Sequence, residues 1–409
     1  MAIVYWLRPQ AKGVVGRVIA SIGFWVKIVQ ITTDNREHHR EYAKTIPYFG
    51  TAPEALLQGF AKLRDVEVHV ISCTQRRMSS PEKLADNIWF HSLHVPKIGW
   101  LRTGYQGCVR TVRSKLRQLQ PDVVHGQGTE RECALAAAFS GFINVVTIHG
   151  SMGEVAAATQ ARIGSFVWCA AKAEAFALRR TGGVLCNSAY TEQVVQRRNR
   201  RTWRVPNALR REFFERPLPQ ATHTAKPIIL NIGVVGRRKR QLELLGLART
   251  LAEKGLSFEL RFVGHADPAG AYAAKFLREV AIGADSGFAS YEGPRPLTEL
   301  IDLLDGASGL VHAPSEEAFG LVVAEALARN LKCFGARTGG IPEIAEGVEG
   351  AELSSPGDDR QLGEAIARWL DEDSPRPTTA ATEMRARYHP EVIARRHLEI
   401  YSEILANRL

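Results

Sequence analysis

Long apolar runs are missing from this 409-residue chain. None approaches the ~18–20 residues that a membrane-spanning helix requires. Cysteine pairs are missing too. Cys73, Cys108, Cys133, Cys169, Cys186 and Cys333 are scattered, with no C-x-x-C spacing. That argues against a zinc ribbon or a disulfide framework and fits reduced core thiols in a cytoplasmic protein. No Asp-x-Asp pair closes a strand-like run, and Asp358-Asp359 falls in a late loop, so no metal site is expected. Nucleic-acid motifs are absent and aromatics do not interleave with the basic residues, which argues against a nucleic-acid partner. What remains is ordinary for a soluble globular protein, with 45% hydrophobic and 23% charged residues. The length exceeds what one hydrophobic core usually serves, so two domains are expected.

The net charge of +10 is unevenly spread. Residues 1–220 hold 31 Lys and Arg against 16 Asp and Glu, a net +15; the remainder holds 22 against 27, a net −5. The basic half is either a solubilising surface or the side that meets something anionic, such as an acidic membrane, a lipid phosphate or nucleic acid. Arg8, Lys12 and Arg17 ahead of Val18–Val26 imitate a signal peptide, but the apolar run is short and leads into an apparent strand. Residues 1–26 therefore read as an extension, disordered or added by a misassigned start, with Val26 as the alternative initiator. Mass spectrometry of the native protein tests this: peptides from residues 1–25 would refute it.

From Lys27 onward short β-branched runs alternate with helical patterns. Strands are expected at Lys27–Ile31, Val68–Ser72, Asp122–His125, Asn144–His149 and Gly183–Asn187, and helices at Glu54–Leu63, Arg110–Leu119 and Ala157–Arg179. The alternation implies right-handed βαβ units and a parallel sheet. Arg216–Lys226 is polar, holds two prolines and has no apolar period, so it suits a linker. The rhythm then restarts, with strands at Pro227–Gly233, Phe258–Gly264, Gly309–Ala313 and Leu331–Phe334 and helices at Gln241–Glu253 and Leu297–Leu304. The expected division is residues 27–216, a linker at 217–226, residues 227–385, and a helical segment at 386–409. Ligands of such sheets bind at the carboxyl ends of the strands, which places a substrate in the cleft between the domains.

Pro314–Ile344 carries the densest chemistry. Glu317 and Glu325 flank a Phe319-Gly320-Leu321 turn, a helix follows, and a Gly339-Gly340 turn comes after the next strand. Gly320 lets backbone approach a ligand, free N–H groups at a helix start favour phosphate, and carboxylates accept hydrogen bonds from sugar hydroxyls. The plainer alternative is that Glu316, Glu317 and Glu325 are ordinary helix-start and surface acids. Gly233–Gln241 offers a glycine turn followed by four cations, Arg237–Arg240. This is a diphosphate clamp able to stabilise a departing anion, or else a solvated basic turn.

The stretch from Pro314 resembles the signature of the retaining glycosyltransferases of family 4, which have the GT-B fold. Pro314, Ser315, Glu317, Phe319, Gly320, Leu321, Glu325, Ala326 and Ala328 match it, followed by Gly339, Gly340, Pro342 and Glu343. The resemblance implies an α/β chain of two Rossmann-like domains facing each other across a cleft. It also implies that Glu317 holds the donor sugar, that Glu325 holds the ribose, and that the Gly320 and Leu321 amides hold the diphosphate. Phe319, Gly233 and Gly340 belong to the same expected donor site. Lys239 matches the family's clamp lysine, while Val234 stands where an arginine is usual, a loss that Arg238 compensates. Tyr48-Phe49-Gly50-Thr51 resembles the first domain's glycine-rich loop, and His149 a histidine that contacts the transferred sugar; a lone histidine at a strand end is otherwise structural. Asn187-Ser188 and Val205-Pro206-Asn207 match scaffold landmarks, and the last helix, Glu391–Leu405, resembles one that crosses back onto the first domain.

The resulting expectation is a retaining transferase that needs no cofactor or metal. It moves a sugar from a UDP- or GDP-linked donor to a hydroxyl of a glycan, lipid-linked or small-molecule acceptor. Glu317, Lys239, Arg238 and His149 form its catalytic set. It would be cytoplasmic or peripheral at the inner membrane face, meeting anionic lipid through the basic half. The rivals are another enzyme of the same fold, a sugar-nucleotide epimerase or a phosphorylase, and a non-catalytic basic module that binds membrane or nucleic acid. No lysine is placed to hold pyridoxal phosphate.

Overall fold

The computed structural model describes residues 25–219 and 226–407. Nearly all of the expected extension at 1–26, and most of the linker at 217–226, lie outside the described residues.

Eight strands form the first sheet: β1 (Val26–Ile31), β2 (Val66–Thr74), β3 (Lys83–Ala85), β4 (Ile88–His94), β5 (Val123–Gln127), β6 (Asn144–Ile148), β7 (Val184–Cys186) and β8 (Thr202–Arg204). Their order is β3-β4-β2-β1-β5-β6-β7-β8, and every pairing but β3 with β4 is parallel. Helices cover both faces of such a sheet, so its central strands are nearly continuous apolar runs. Ile28, Val68, Val70, Val123 and Val145 accordingly sit in a core cluster on one side, and Val29, Ile71, Val124 and Val146 in another. The β3–β4 hairpin falls outside the sequence expectation. β4, Ile-Trp-Phe-His-Ser-Leu-His, buries only Ile88 and Phe90 fully, too few for a continuous apolar run.

The second sheet holds β9 (Ile228–Ile232), β10 (Glu259–Val263), β11 (Ala289–Tyr291), β12 (Gly309–His312), β13 (Lys332–Ala336) and β14 (Ala351–Ser354), in the order β11-β10-β9-β12-β13-β14 and parallel throughout. In each sheet the strand order reverses once beside its first strand, between β1 and β5 and between β9 and β12. Such switch points open a crevice at the carboxyl ends of the strands.

The helix expected at Ala157–Arg179 is two helices, Met152–Ala158 and Phe166–Arg180. Gly164 adopts φ +82° between them, and Ser165 starts the second by accepting from the Trp168 amide. The helix Pro390–Ala406 packs away from the sheet that precedes it in sequence. Its Ile393, Ala394, Ile400, Tyr401 and Ile404 complete the core cluster of the first sheet. Gly59, on the helix Thr51–Phe60, permits this contact, since a Cβ there would lie 2.1 Å from the Pro390 carbonyl oxygen. Across the cleft, the Ser188 hydroxyl donates to the Ala318 carbonyl at 2.6 Å. The Ala189 amide donates to Glu343 Oε1 at 2.7 Å. The cysteines are free; five are buried and Cys169 is half-buried.

Candidate active site

The two switch points open into one cleft of about 1080 Å³, walled by residues of both sheets. On the second-sheet side, β12 ends at His312 and the chain turns through Pro314 to Glu317. Gly320 then adopts φ +103° and starts the helix Leu321–Leu327. This helix is shorter than the sequence suggests. It ends before Arg329, and Asn330 takes φ +53°. Glu317, Phe319, Gly320, Leu321 and Glu325 all line the cleft.

Gly340 does not. A Cβ on Gly340 would stand 2.8 Å from the Ala318 oxygen, and one on Gly339 would stand 1.5 Å from the Glu317 oxygen. Gly339 also adopts φ +57°. The glycine pair is therefore pressed against the back of the Glu317 loop and shapes it, which corrects the expectation that Gly340 touches substrate.

Glu317 is the electrostatic centre of this wall. Lys239 Nζ donates to its Oε2 at 2.5 Å, and His312 Nε2 lies 3.1 Å from the same oxygen. Burial alone would raise this carboxyl. The His312 hydrogen bond and the Lys239 charge outweigh burial and hold it well below the usual range. Both contacts end on Oε2, so Oε1 is left to accept from a ligand hydroxyl. His312 is itself buried, which lowers its pKa against the pull of Glu317. Its role is not apparent from sequence, where it is one more residue of a strand.

Of the four cations after Gly233, only Arg238 and Lys239 reach the cleft. Arg240 is bound by Asp359, with contacts of 3.0 and 2.9 Å, and Arg237 lies over the Tyr272 ring. The four-cation clamp thus narrows to two. Arg238 bonds Glu316 at 2.6 Å, and its carbonyl accepts from the Ser315 amide, tying the basic turn to the acidic loop. Gly233 lines the cleft, and Gly264 packs so close behind it that a Cβ there would sit 2.1 Å from the Gly233 oxygen.

Glu325 is buried, and burial pushes its carboxyl up to about 7, with Arg210 opposing in part. Arg210 Nη2 stands 3.9 Å from Glu325 Oε1, and the same guanidinium acts on the half-buried Glu54 of the first unit. Arg210 Nε is buried without a partner. Three residues after the Val205-Pro206-Asn207 landmark, it carries no sequence signal of its own.

The first-sheet wall is built from the ends of β1, β5 and β6. Thr32, Gln127, Glu130, Arg131 and His149 line it, with Gly50 at the start of the helix Thr51–Phe60. His149 Nε2 lies 3.0 Å from Gln127 Oε1, and burial lowers its pKa, so the ring is neutral near pH 7. The cleft thus brings together Glu317, Lys239, Arg238, His149, Gly50, Gly233, Phe319, Gly320, Leu321 and Glu325, leaving Gly340 behind the wall. Among the described residues no group of three or more His, Cys, Asp or Glu is arranged to hold a metal ion.

Comparison with known proteins gives each half a match. Residues 53–213 match the family model described as Glycosyltransferase Family 4, and residues 215–388 match Glycosyl transferases group 1. The D-inositol 3-phosphate glycosyltransferase of Corynebacterium urealyticum is 32% identical over 184 residues, which is 42% of this chain and 43% of that protein. The matched stretch therefore spans less than half of that relative. Sucrose-phosphate synthase from Thermosynechococcus elongatus is similar in structure, with TM-score 0.68, 17% identity, and coverage of 93% of this chain and 100% of that one. Anabaena HepE in complex with UDP and glucose follows, with TM-score 0.66, 16% identity, and coverage of 92% and 100%.

Proposed function

Because the chain belongs to the family 4 glycosyltransferases with the GT-B fold, we propose that it is a retaining enzyme that moves a sugar from a nucleotide-linked donor to an acceptor hydroxyl. One observation carries this reading: Lys239, Glu317 and His312 form a single hydrogen-bonded cluster where both switch points open into the same cleft. HepE was solved with UDP and glucose, which favours a UDP-linked donor over the GDP-linked alternative. Glu317 Oε1 accepts from the sugar hydroxyls and Glu325 from the ribose. Lys239 and Arg238 take the diphosphate, and the amides of Gly320 and Leu321 complete its cradle. The anomeric carbon–oxygen bond to the diphosphate breaks while the acceptor oxygen bonds the same face of the sugar. The acceptor proton passes to the departing phosphate oxygen. No protein nucleophile, metal or cofactor enters this scheme.

The test is release of nucleoside diphosphate from a panel of UDP- and GDP-sugars in the presence of glycan, lipid-linked and small-molecule acceptors. Lys239→Ala should lower kcat by about 10²–10³, the usual cost of removing one group that stabilises developing charge. Glu317→Ala should abolish transfer, with an unchanged circular-dichroism spectrum. Unaltered kinetics in either variant would refute the assignment.

The basic half also favours contact with an anionic bilayer. The helix Gln106–Leu119 contains no acid and exposes Arg110, Arg113 and Arg117, none of which forms an ion pair among the described residues. Ile98, 74% exposed, adjoins its start, next to the cleft residue Lys97. Each cation near such a surface contributes about 1 kcal/mol. The triple variant Arg110→Glu, Arg113→Glu, Arg117→Glu should therefore stop flotation with phosphatidylglycerol vesicles. Equal flotation with phosphatidylcholine alone would argue against a charge-based contact. Among the described residues no helix is long and apolar enough to cross a membrane.

A further inference from the structure

A chain of buried polar groups runs from the helix Pro390–Ala406 to the cleft. Tyr401 Oη lies 2.5 Å from His125 Nδ1, and His125 Nε2 lies 2.6 Å from Thr147 Oγ1. Gln127 sits two residues further along β5, on the same face. Its Nε2 is turned towards Gln30 Oε1 at 3.3 Å and His125 Nδ1 at 3.4 Å. That leaves Gln127 Oε1 facing His149 Nε2 at 3.0 Å. His149 Nδ1 is buried and makes no well-formed hydrogen bond, on a side chain that lines the cleft.

One set of protons satisfies these contacts with Tyr401 as the first donor; the reverse set, with His125 Nδ1–H donating to Tyr401 and the Gln127 amide turned over, would put the His149 proton on Nδ1. In the first set Tyr401 donates to His125 Nδ1, which must then carry a lone pair, so His125 Nε2–H donates to Thr147. A lone pair on His125 Nδ1 suits the N–H of Gln127 and not its oxygen, which fixes the Gln127 amide. An oxygen facing His149 Nε2 requires a proton there. A neutral imidazole holds only one proton, and burial keeps this ring neutral. In this first set His149 Nδ1 is an acceptor without a well-formed hydrogen bond, and the Asn207 side chain, also in the cleft, is the polar neighbour that acts on the ring.

We propose that Gln127 is a positioning residue: it pins His149 with the proton on Nε2 and the Nδ1 lone pair free for a substrate hydroxyl. Tyr401 sets Gln127 through His125. The reactive imidazole of one domain is thus tuned by a helix that follows the other domain in the chain. This rests on the cleft being the reaction site. The role of Gln127 is distinct from that of His149, because Gln127 acts on the tautomer and not on the reacting atoms.

The experiment measures the tautomer directly, on full-length protein with ¹⁵N-labelled histidine, by long-range ¹H–¹⁵N correlation. Wild type should show His149 protonated at Nε2. Gln127→Leu should mix the two tautomers and cut the kcat of transfer roughly tenfold, the value of about one hydrogen bond. The nucleotide thermal shift, set by the opposite wall, should not move. Tyr401→Phe should perturb the His149 signals without direct contact. A wild-type proton on Nδ1, or a His149 tautomer indifferent to Gln127→Leu, would overturn the proposal. Indifference to Tyr401→Phe would overturn the link to the helix. Absence of sugar transfer in wild type would count against the enzymatic reading alone, because the tautomer is read without turnover.

Discussion

Glu325 is a buried carboxyl and Glu317 a half-buried one in the same cleft wall, and their surroundings drive them in opposite directions. Glu317 has Lys239 and His312 on one oxygen and stays ionised. Glu325 has only the more distant Arg210, and its pKa rises from 4.5 to about 7. The folded protein therefore holds a proton on Glu325 that the unfolded chain has released between those values. Stability linked to this group is fully present below the unfolded pKa and is lost as pH rises through about 7. At about 1.4 kcal/mol per unit, the ligand-free protein should lose about 3 kcal/mol relative to Glu325→Gln between roughly pH 4.5 and pH 8. Denaturant melts at several pH values measure this, and parallel profiles for the two proteins would contradict it. A nucleotide whose ribose donates to ionised Glu325 should flatten the slope.

The elements that hold these residues were legible to different degrees. Short β-branched runs revealed the parallel strands, because strands covered on both faces must be apolar almost throughout. The β3–β4 hairpin, with its alternating polar residues, escaped that signal. The donor loop was readable because Phe319-Gly320-Leu321 and Glu325 fall in a dense pattern. Arg210 and His312 went unremarked, since an isolated arginine and a strand-end histidine acquire meaning only when folding sets a carboxylate beside them. Gly340 was misplaced for a related reason: sequence marks a glycine but not what approaches it. That approach gives a prediction at this scale. Gly339→Ala forces a Cβ into the Glu317 carbonyl and an alanine into φ +57°. It should displace the loop and abolish donor-induced thermal shift, with a stability cost of about 1–3 kcal/mol. A crystal structure of the variant with Glu317 unmoved would refute this.

At the scale of the whole molecule, two contacts from the helix Ala189–Gln196 and its cap clasp the second unit beside the donor loop. Ser188 reaches the Ala318 carbonyl, and the Ala189 amide reaches Glu343. Removing both, with Ser188→Ala and Glu343→Ala, should let the cleft open. The expected result is a larger radius of gyration in small-angle scattering and a raised KM for donor, with little change in Tm. An unchanged scattering profile would show that the clasp does not set the opening. The helix Pro390–Ala406 has a consequence in time as well as in space. The last strand of the first sheet ends at Arg204, and the helix that finishes its core begins 186 residues later, at Pro390. At synthesis rates of about 5–20 residues per second, the first sheet waits roughly 10–40 s for Ile400 and Tyr401. During that interval the second sheet, whose strands end at Ser354, has already emerged. The half made first should therefore be the half that matures last, and a nascent chain halted before residue 390 should be cut by protease in its N-terminal half.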